Sequence, residues 1–299
     1  MPSLQSLLQE MGYDEVLELI EHLAIPDEDI AISDEVIGEG TFGIVRKGTL
    51  TNDERQNQEV AVKVLKSKST STRDMMRFFQ EGLILHNLDH ENILRIIGIS
   101  IIDNEPLLVF PFMKGGNLKQ HFQNNQSVSA TQRMQFCQQV CNAMVFLESK
   151  KCLHRDLAAR NVLLDDNLLV KLSDFGLAYK MESSDYYKLN TRTTLPIRWY
   201  PPESLQTPFT YTSKSDVWAF GVTCWEIFEL PDKCEPYEGV PSDTLITMIC
   251  NGYKLDCPNR CPPLLQVAFQ SLIFFISSFF QFFHNQVHFC SCQVLGSQS

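Results

Sequence analysis

Asp156 and Asn161 stand five residues apart in His154-Arg155-Asp156-Leu157-Ala158-Ala159-Arg160-Asn161, and Asp174-Phe175-Gly176 begins thirteen residues further on. Phosphoryl transfer needs little covalent chemistry from a protein; it needs charge neutralised and an acceptor hydroxyl oriented. Asp156 suits the acceptor, while Asn161 and Asp174 are hard oxygen ligands of the kind Mg²⁺ prefers. Lys63 lies inside the apolar run Val60-Ala61-Val62-Lys63, and a buried ammonium is costly unless paired. Glu81, in Phe78-Phe79-Gln80-Glu81, is its natural partner, and such a pair would hold the ammonium against the α- and β-phosphates of a nucleotide. A third string, Ile37-Gly38-Glu39-Gly40-Thr41-Phe42-Gly43-Ile44-Val45, contains G-x-G-x-x-G. A dinucleotide fold would require a helix after the third glycine, but residues 44–50 alternate like a strand. A glycine-rich β-turn-β that covers phosphates survives, because glycine lets backbone amides approach the oxygens closely. Each string is weak alone; their order and spacing together are specific.

These residues need elements to position them. Residues 30–65 read as short β-rich runs, with a polar turn from Thr51 to Gln58. A helix is expected from about Arg73 to Leu88, then strands from Ile93 to Ile102 and from Leu107 to Phe112. Lys114-Gly115-Gly116-Asn117 breaks the pattern, and helices over Leu118–Asn124 and Ala130–Ser149 follow. The result is a small β-rich lobe with one helix, joined to a larger helical lobe. Ahead of it, Leu4, Leu7, Leu8, Met11, Leu17, Ile20 and Leu23 recur at helical spacing, so residues 3–23 are expected to form one acidic amphipathic helix. A helix packed on the neighbouring lobe is preferred to a docking or autoinhibitory segment.

Over residues 31–263 the chain resembles a eukaryotic protein kinase, specifically a tyrosine kinase. The resemblance implies the bilobal α+β kinase fold, with an N-lobe over 31–113 and a C-lobe over 114–263. Ala158-Ala159-Arg160 stands where serine/threonine kinases usually carry a lysine. Leu195-Pro196-Ile197-Arg198-Trp199 resembles the tyrosine-kinase substrate shelf, and Ser215 to Val222 resembles the family's helix F signature. Asp185-Tyr186-Tyr187 and the hinge Pro111 to Lys114 look most similar to receptor-type kinases of the Axl/Met group. By resemblance, Asp156, Lys63 and Arg160 are catalytic, Asn161 and Asp174 hold Mg²⁺, and ATP is bound by Ile37 to Gly43, Val45, Ala61, Lys63, Glu81, Phe110, Pro111, Met113, Asn117 and Leu163. Val45, Ala61 and Leu163 would flank adenine, Phe110 would be the gatekeeper, and Pro111 and Met113 would offer backbone hydrogen bonds. Tyr186 and Tyr187 fall where the family's activating phosphorylation occurs, with Arg155 as a partner for the added charge. The implied partners are proteins that present tyrosine.

The pattern breaks at the end. Pro201-Pro202-Glu203 replaces the usual Ala-Pro-Glu, and the arginine expected opposite Glu203 is absent, so an unpaired buried carboxylate is anticipated there. From Cys261 to Ser299 there is no Asp, Glu, Lys or Arg, and 264–299 forms a divergent uncharged tail. A membrane span over Leu264–Phe283 is diluted by Gln and Ser and lacks flanking positive charge. His284, His288, Cys290 and Cys292, with Cys257 and Cys261, resemble scattered zinc ligands, but Cys261 already has a place in the kinase pattern, which argues against zinc. The bias toward Phe, Ser and Gln favours a splice end, retained intron or frameshift. A truncated or pseudokinase-like scaffold is therefore the alternative function.

Composition bounds the partners. With 44% hydrophobic and 20% charged residues, the chain has the make-up of a soluble globular protein. A net charge of −11 argues against nucleic acid or an anionic membrane as the main partner. No secretory signal is expected at the N-terminus, and a membrane enters only if the chain is part of a longer receptor. The ten cysteines are scattered through a long chain, which points to reduced thiols and a cytoplasmic setting, or the intracellular part of a receptor.

Overall fold

The alternation of residues 57–65 is realised as the middle strand of an antiparallel sheet. In the computed structural model, which describes residues 8–10, 12–40, 43–52, 54–66, 72–125, 127–181, 186–188 and 195–262, the sheet has five strands. They are β1 (Ile30–Glu39), β2 (Gly43–Thr51), β3 (Asn57–Leu65), β4 (Gly98–Ile102) and β5 (Glu105–Pro111), in the order β1-β2-β3-β5-β4. Val60 and Val62 join Ile30, Leu107 and Val109 in an apolar core. Successive side chains alternate between faces, so Ala61 and Lys63 take the opposite face together with their register partners Phe110 and Leu108. Val45, opposite Lys63 on β2, shares that face. The turn after β2 is organised by Asn52, whose Oδ1 accepts from the Gln56 amide at 2.8 Å. The strand expected over Ile93–Ile102 is shorter and begins at Gly98.

The single helix expected over residues 3–23 is broken at Gly12. Gly12 has a left-handed φ of 73°; its amide donates to Gln9 O at 3.1 Å and the Tyr13 amide donates to Leu8 O at 3.1 Å. That is the Schellman pattern of a helix end, for which glycine is the favoured residue. Helix α1 (Asp14–His22) restarts beyond it and buries Val16, Leu19 and Ile20, packing on α2 (Thr72–His86). Leu4, Leu7 and Met11 of the expected stripe lie outside the described residues. Leu23 to Ile25 then lie along β4: the Ile99 amide donates to Leu23 O at 2.7 Å and the Ile25 amide to Ile99 O at 2.8 Å.

The chain divides into two compact units. One comprises Met1–Asp89, Ile93–Lys114 and Phe175–Leu177; the other comprises His90–Asn92, Gly115–Asp174 and Ala178–Ser299. The second unit is mainly helical, with α3 (Leu118–Asn124), α4 (Ala130–Ser149), α5 (Pro202–Leu205), α6 (Ser213–Glu229) and α7 (Ser242–Cys250). Ser129 caps α4 by accepting from the Gln132 amide at 3.2 Å, and Thr212 with Ser215 forms a capping box at the start of α6. Thirteen of the 17 residues of α6 are buried, the mark of a core helix. Arg133 of α4 is buried against the far end of α6, donating to Ile227 O and, at 2.8 Å, to Leu230 O. The ladders β7 (Val162–Leu164) with β8 (Val170–Leu172), β6 (Cys152–Leu153) with β9 (Tyr179–Lys180) and β10 (Tyr187–Lys188) with β11 (Thr210–Tyr211) frame the loops of this unit. Cys137, Cys141, Cys152 and Cys224 are buried thiols.

Glu203 departs from expectation. It lies in the first turn of α5 and is exposed to solvent. Water solvates the carboxylate and the helix N-terminus favours it, so the expected cost of an unpaired buried charge does not arise. The tail, 264–299, lies outside the described residues.

Candidate active site

In the first unit, Lys63 and Glu81 meet as the sequence implied. Lys63 Nζ donates to Glu81 Oε1 at 2.9 Å and to Oε2 at 2.7 Å, and both residues are buried. The two-pronged contact fixes the lysine stem on the sheet face it shares with Val45, Ala61 and Phe110. The glycine hairpin joins β1 to β2, with the Gly40 amide donating to Gly43 O at 2.9 Å. A Cβ on Gly43 would stand 2.7 Å from Val64 O and 3.2 Å from Lys63 Cγ, so only glycine lets the hairpin lie this close to the lysine. Ile37, Gly38 and Glu39 complete β1, and Glu39 pairs with Lys66 at 2.9 Å on the surface. Thr41 and Phe42 lie outside the described residues. Pro111 ends β5, and Met113 follows it half-buried.

In the second unit, the loop 154–161 brings Asp156, Arg160 and Asn161 together. Asn161 Nδ2 donates to Asp156 O at 2.7 Å and to Asp156 Oδ2 at 2.9 Å. The amide nitrogen is thereby committed, which leaves the amide oxygen as the ligand atom. Arg160 pairs with Asp156 Oδ1, and its guanidinium lies 4.5 Å over the Trp199 ring. Burial raises the Asp156 carboxyl to about 6; Arg160 opposes the rise and the neighbouring charge of Asp174 adds to it. His154 is fully buried, which depresses it to about 4. The Asp156 amide donates to His154 Nδ1 at 3.2 Å, so the proton sits on Nε2, which donates to Ser173 O at 3.1 Å. A neutral imidazole thus ties the loop to the residue just before Asp174. Asp174 itself takes a left-handed φ of 60°.

Asn117, among the ATP-binding residues that the resemblance implies, has its carboxamide oxygen engaged elsewhere: it caps α3 by accepting from the Gln120 amide at 2.9 Å. Leu163 is half-buried in β7, and the β7 backbone is clasped by the connector, with the Gly115 amide donating to Leu164 O at 3.0 Å. Tyr186 is exposed. Tyr187 is more enclosed, with the Arg155 guanidinium 3.9 Å over its ring.

Sequence reasoning missed the acids that hold this loop. Asp216, buried in α6, accepts from the His154 amide at 2.8 Å, the Arg155 amide at 3.0 Å and the Tyr211 hydroxyl at 2.8 Å. Glu226, ten residues later in the sequence, accepts from the Ala159 amide and from Trp199 Nε1, each at 2.9 Å. The available signal was an acidic residue inside an otherwise apolar helical run, since a buried charge needs a job or a partner.

Residues 31–272 match the family model for protein tyrosine and serine/threonine kinases, and the chain belongs to that family. It is therefore a protein kinase domain of bilobal α+β fold, an ATP-binding phosphotransferase that acts on proteins. The family spans both kinds of acceptor hydroxyl. Kinases use ATP with Mg²⁺, and the donor chemistry here fits: one amide oxygen and one carboxylate suit an ion that takes few protein ligands and completes its shell with phosphate and water oxygens. Among the described residues, no group of three or more His, Cys, Asp or Glu could hold a metal ion, and no helix is long and apolar enough to cross a membrane.

Proposed function

We propose that this chain is a protein tyrosine kinase that transfers the γ-phosphate of ATP to tyrosine hydroxyls. The observation that carries the reading is Arg160, four residues past Asp156 in Ala158-Ala159-Arg160, ion-paired to Asp156 and stacked on Trp199 of the shelf segment. This is the arginine that, by resemblance, separates tyrosine kinases from those acting on serine and threonine.

In this mechanism Asp156 accepts a hydrogen bond from the incoming phenol and takes its proton as the phenol oxygen bonds to the γ-phosphorus and the bond from that phosphorus to the β–γ bridging oxygen breaks, with ADP as the leaving group. Arg160 and Asn161 fix the carboxylate's orientation. Lys63, steadied by Glu81, binds the α- and β-phosphates, and the Gly38 to Gly43 hairpin covers them. Asn161 and Asp174 would hold Mg²⁺, which supplies charge neutralisation on the phosphates when bound. Val45, Ala61, Phe110 and Leu163 supply apolar surface for adenine, with Pro111 and Met113 offering backbone groups. Tyr187 is the favoured regulatory tyrosine, because a phosphate of about −1.5 to −2 charge on it would meet Arg155 directly.

Purified chain is incubated with MgATP, a Glu/Tyr polymer and a serine/threonine peptide pool, and the phosphoamino acids are identified. Phosphotyrosine that disappears in Asp156→Asn is expected. Phosphoserine or phosphothreonine as the main product would overturn tyrosine specificity; a folded, ATP-binding sample without turnover would favour the scaffold alternative.

A further inference from the structure

Two carboxylates on one buried helix hold the two ends of the loop 154–161. Asp216 takes the amides of His154 and Arg155, and Glu226 takes the amide of Ala159. Ten residues of helix separate them by about 15 Å, a span suited to clamping an extended loop at both ends. Each clamp also takes one side-chain donor, the Tyr211 hydroxyl at Asp216 and the Trp199 indole at Glu226. Glu226 Oε2 receives both the Ala159 N–H and the Trp199 indole N–H.

Arg160 lies between those two donors. Its backbone belongs to the 3₁₀ turn Ala159–Asn161, whose first amide is bound to Glu226. Its guanidinium rests on the Trp199 ring, whose nitrogen is bound to the same oxygen. One atom of Glu226 therefore fixes both the root of Arg160 and the surface its head lies on. The head in turn pairs with Asp156. Glu226 is 4% exposed, so water cannot replace either bond; burial pushes its carboxyl up to about 7, and above that pH the ionised acceptor makes both bonds charge-assisted.

We propose that Glu226 is a positioning residue for phosphoryl transfer, holding Arg160 against Asp156 through the Ala159 amide and the Trp199 indole. The proposal rests on the kinase reading above. It assigns Glu226 to the chemical step and not to nucleotide binding, since among the described residues its side-chain hydrogen bonds go to the loop and the shelf segment.

Three variants test it: Glu226→Met removes the acceptor, Trp199→Phe removes the indole N–H but keeps a ring beneath Arg160, and Glu226→Gln keeps an oxygen that can accept both donors. Rates are normalised to ATP-binding sites, so that unfolded protein does not count. At pH 8, where Glu226 is ionised, loss of its bonds is expected to lower kcat about 30-fold in Glu226→Met, which removes both, and about 5-fold in Trp199→Phe, which removes one. The KM for ATP should be unchanged in both, and Glu226→Gln should restore most of kcat. Adding Trp199→Phe to Glu226→Met should cost nothing further, because the bond it removes is already gone. Should Glu226→Met not fold, Trp199→Phe and Glu226→Gln still decide, through the split between kcat and KM. Unchanged kcat per site, effects that multiply independently, or a rise in the KM for ATP alone would each overturn the proposal. Wild-type protein without turnover would sink the kinase reading along with it, whereas active wild type with unresponsive variants defeats this inference alone.

Discussion

The Lys63–Glu81 pair should couple far more strongly than its contribution to net stability suggests. Side-chain exposures of 7% and 4% and a contact of 2.7 Å make it a buried ion pair. Taking both charges from water costs nearly as much as their attraction returns, so the intact pair adds little, but removing one partner strands the other at about 3–5 kcal/mol. Glu81→Leu and Lys63→Met are each expected to lose that amount. For a chain of this size each kcal/mol lowers the melting temperature by roughly 2–4 °C, giving a drop of about 6–20 °C. The double variant Lys63→Met/Glu81→Leu, with neither charge left to bury, should return close to the wild-type midpoint or exceed it. All three proteins should lack kinase activity. Asp34→Asn at the Arg46–Asp34 pair, whose aspartate is fully exposed, is the control and should leave the midpoint unmoved. Thermal and urea unfolding of the four proteins measures the cycle. Additive losses in the double variant, or single losses no larger than the control, would refute this account of the pair.

Three further outcomes are expected. Because the Asp156 carboxyl is raised to about 6, it is ionised above that pH and protonated below, so kcat/KM should fall about tenfold per pH unit below 6 after correction for the titration of ATP. The fold should not weaken with it through this group: a carboxyl raised above its unfolded value binds its proton first in the folded state, so its contribution to stability rises as pH drops from about 6 towards 4. Circular dichroism at pH 7 and 5.5 checks that activity is lost without unfolding. Gly98→Ala would place a Cβ 2.5 Å from Ile25 Cδ1 and 2.7 Å from Leu23 O; the isoleucine can turn but the carbonyl cannot, so a loss of about 1–3 kcal/mol is expected, with faster hydrogen exchange at Ile25 and Ile99. Tyr187→Phe should abolish any rise in activity on preincubation with MgATP, whereas Tyr186→Phe should leave most of it, as followed by phosphopeptide mass spectrometry and initial rates.

Much of this was legible in the sequence for an identifiable reason. The strand alternation around Lys63, the helices over Leu118–Asn124 and Ala130–Ser149, and the Asp156, Asn161 and Asp174 set all lie in short stretches where local pattern and residue chemistry agree. The break at Gly12 is not legible from periodicity, because the apolar stripe continues on both sides of it and spacing alone does not register a left-handed glycine. Resemblance places Glu203 as buried, since it carries over a partner's position but not the solvent exposure that follows when the partner is absent.

The residue types and order of the proposed phosphate-handling set are the sequence's own contribution, since each side chain's chemistry is intrinsic and the strings are compact. What holds that set in working geometry is tertiary. Glu226 reaches Ala159 across 67 residues of chain, and Asp216 reaches His154 across 62. No local pattern encodes such contacts. They exist because α6 is buried within its unit, where an acid must satisfy its charge with whatever donors the surrounding segments bring to it, and here those include the amides of the loop 154–161.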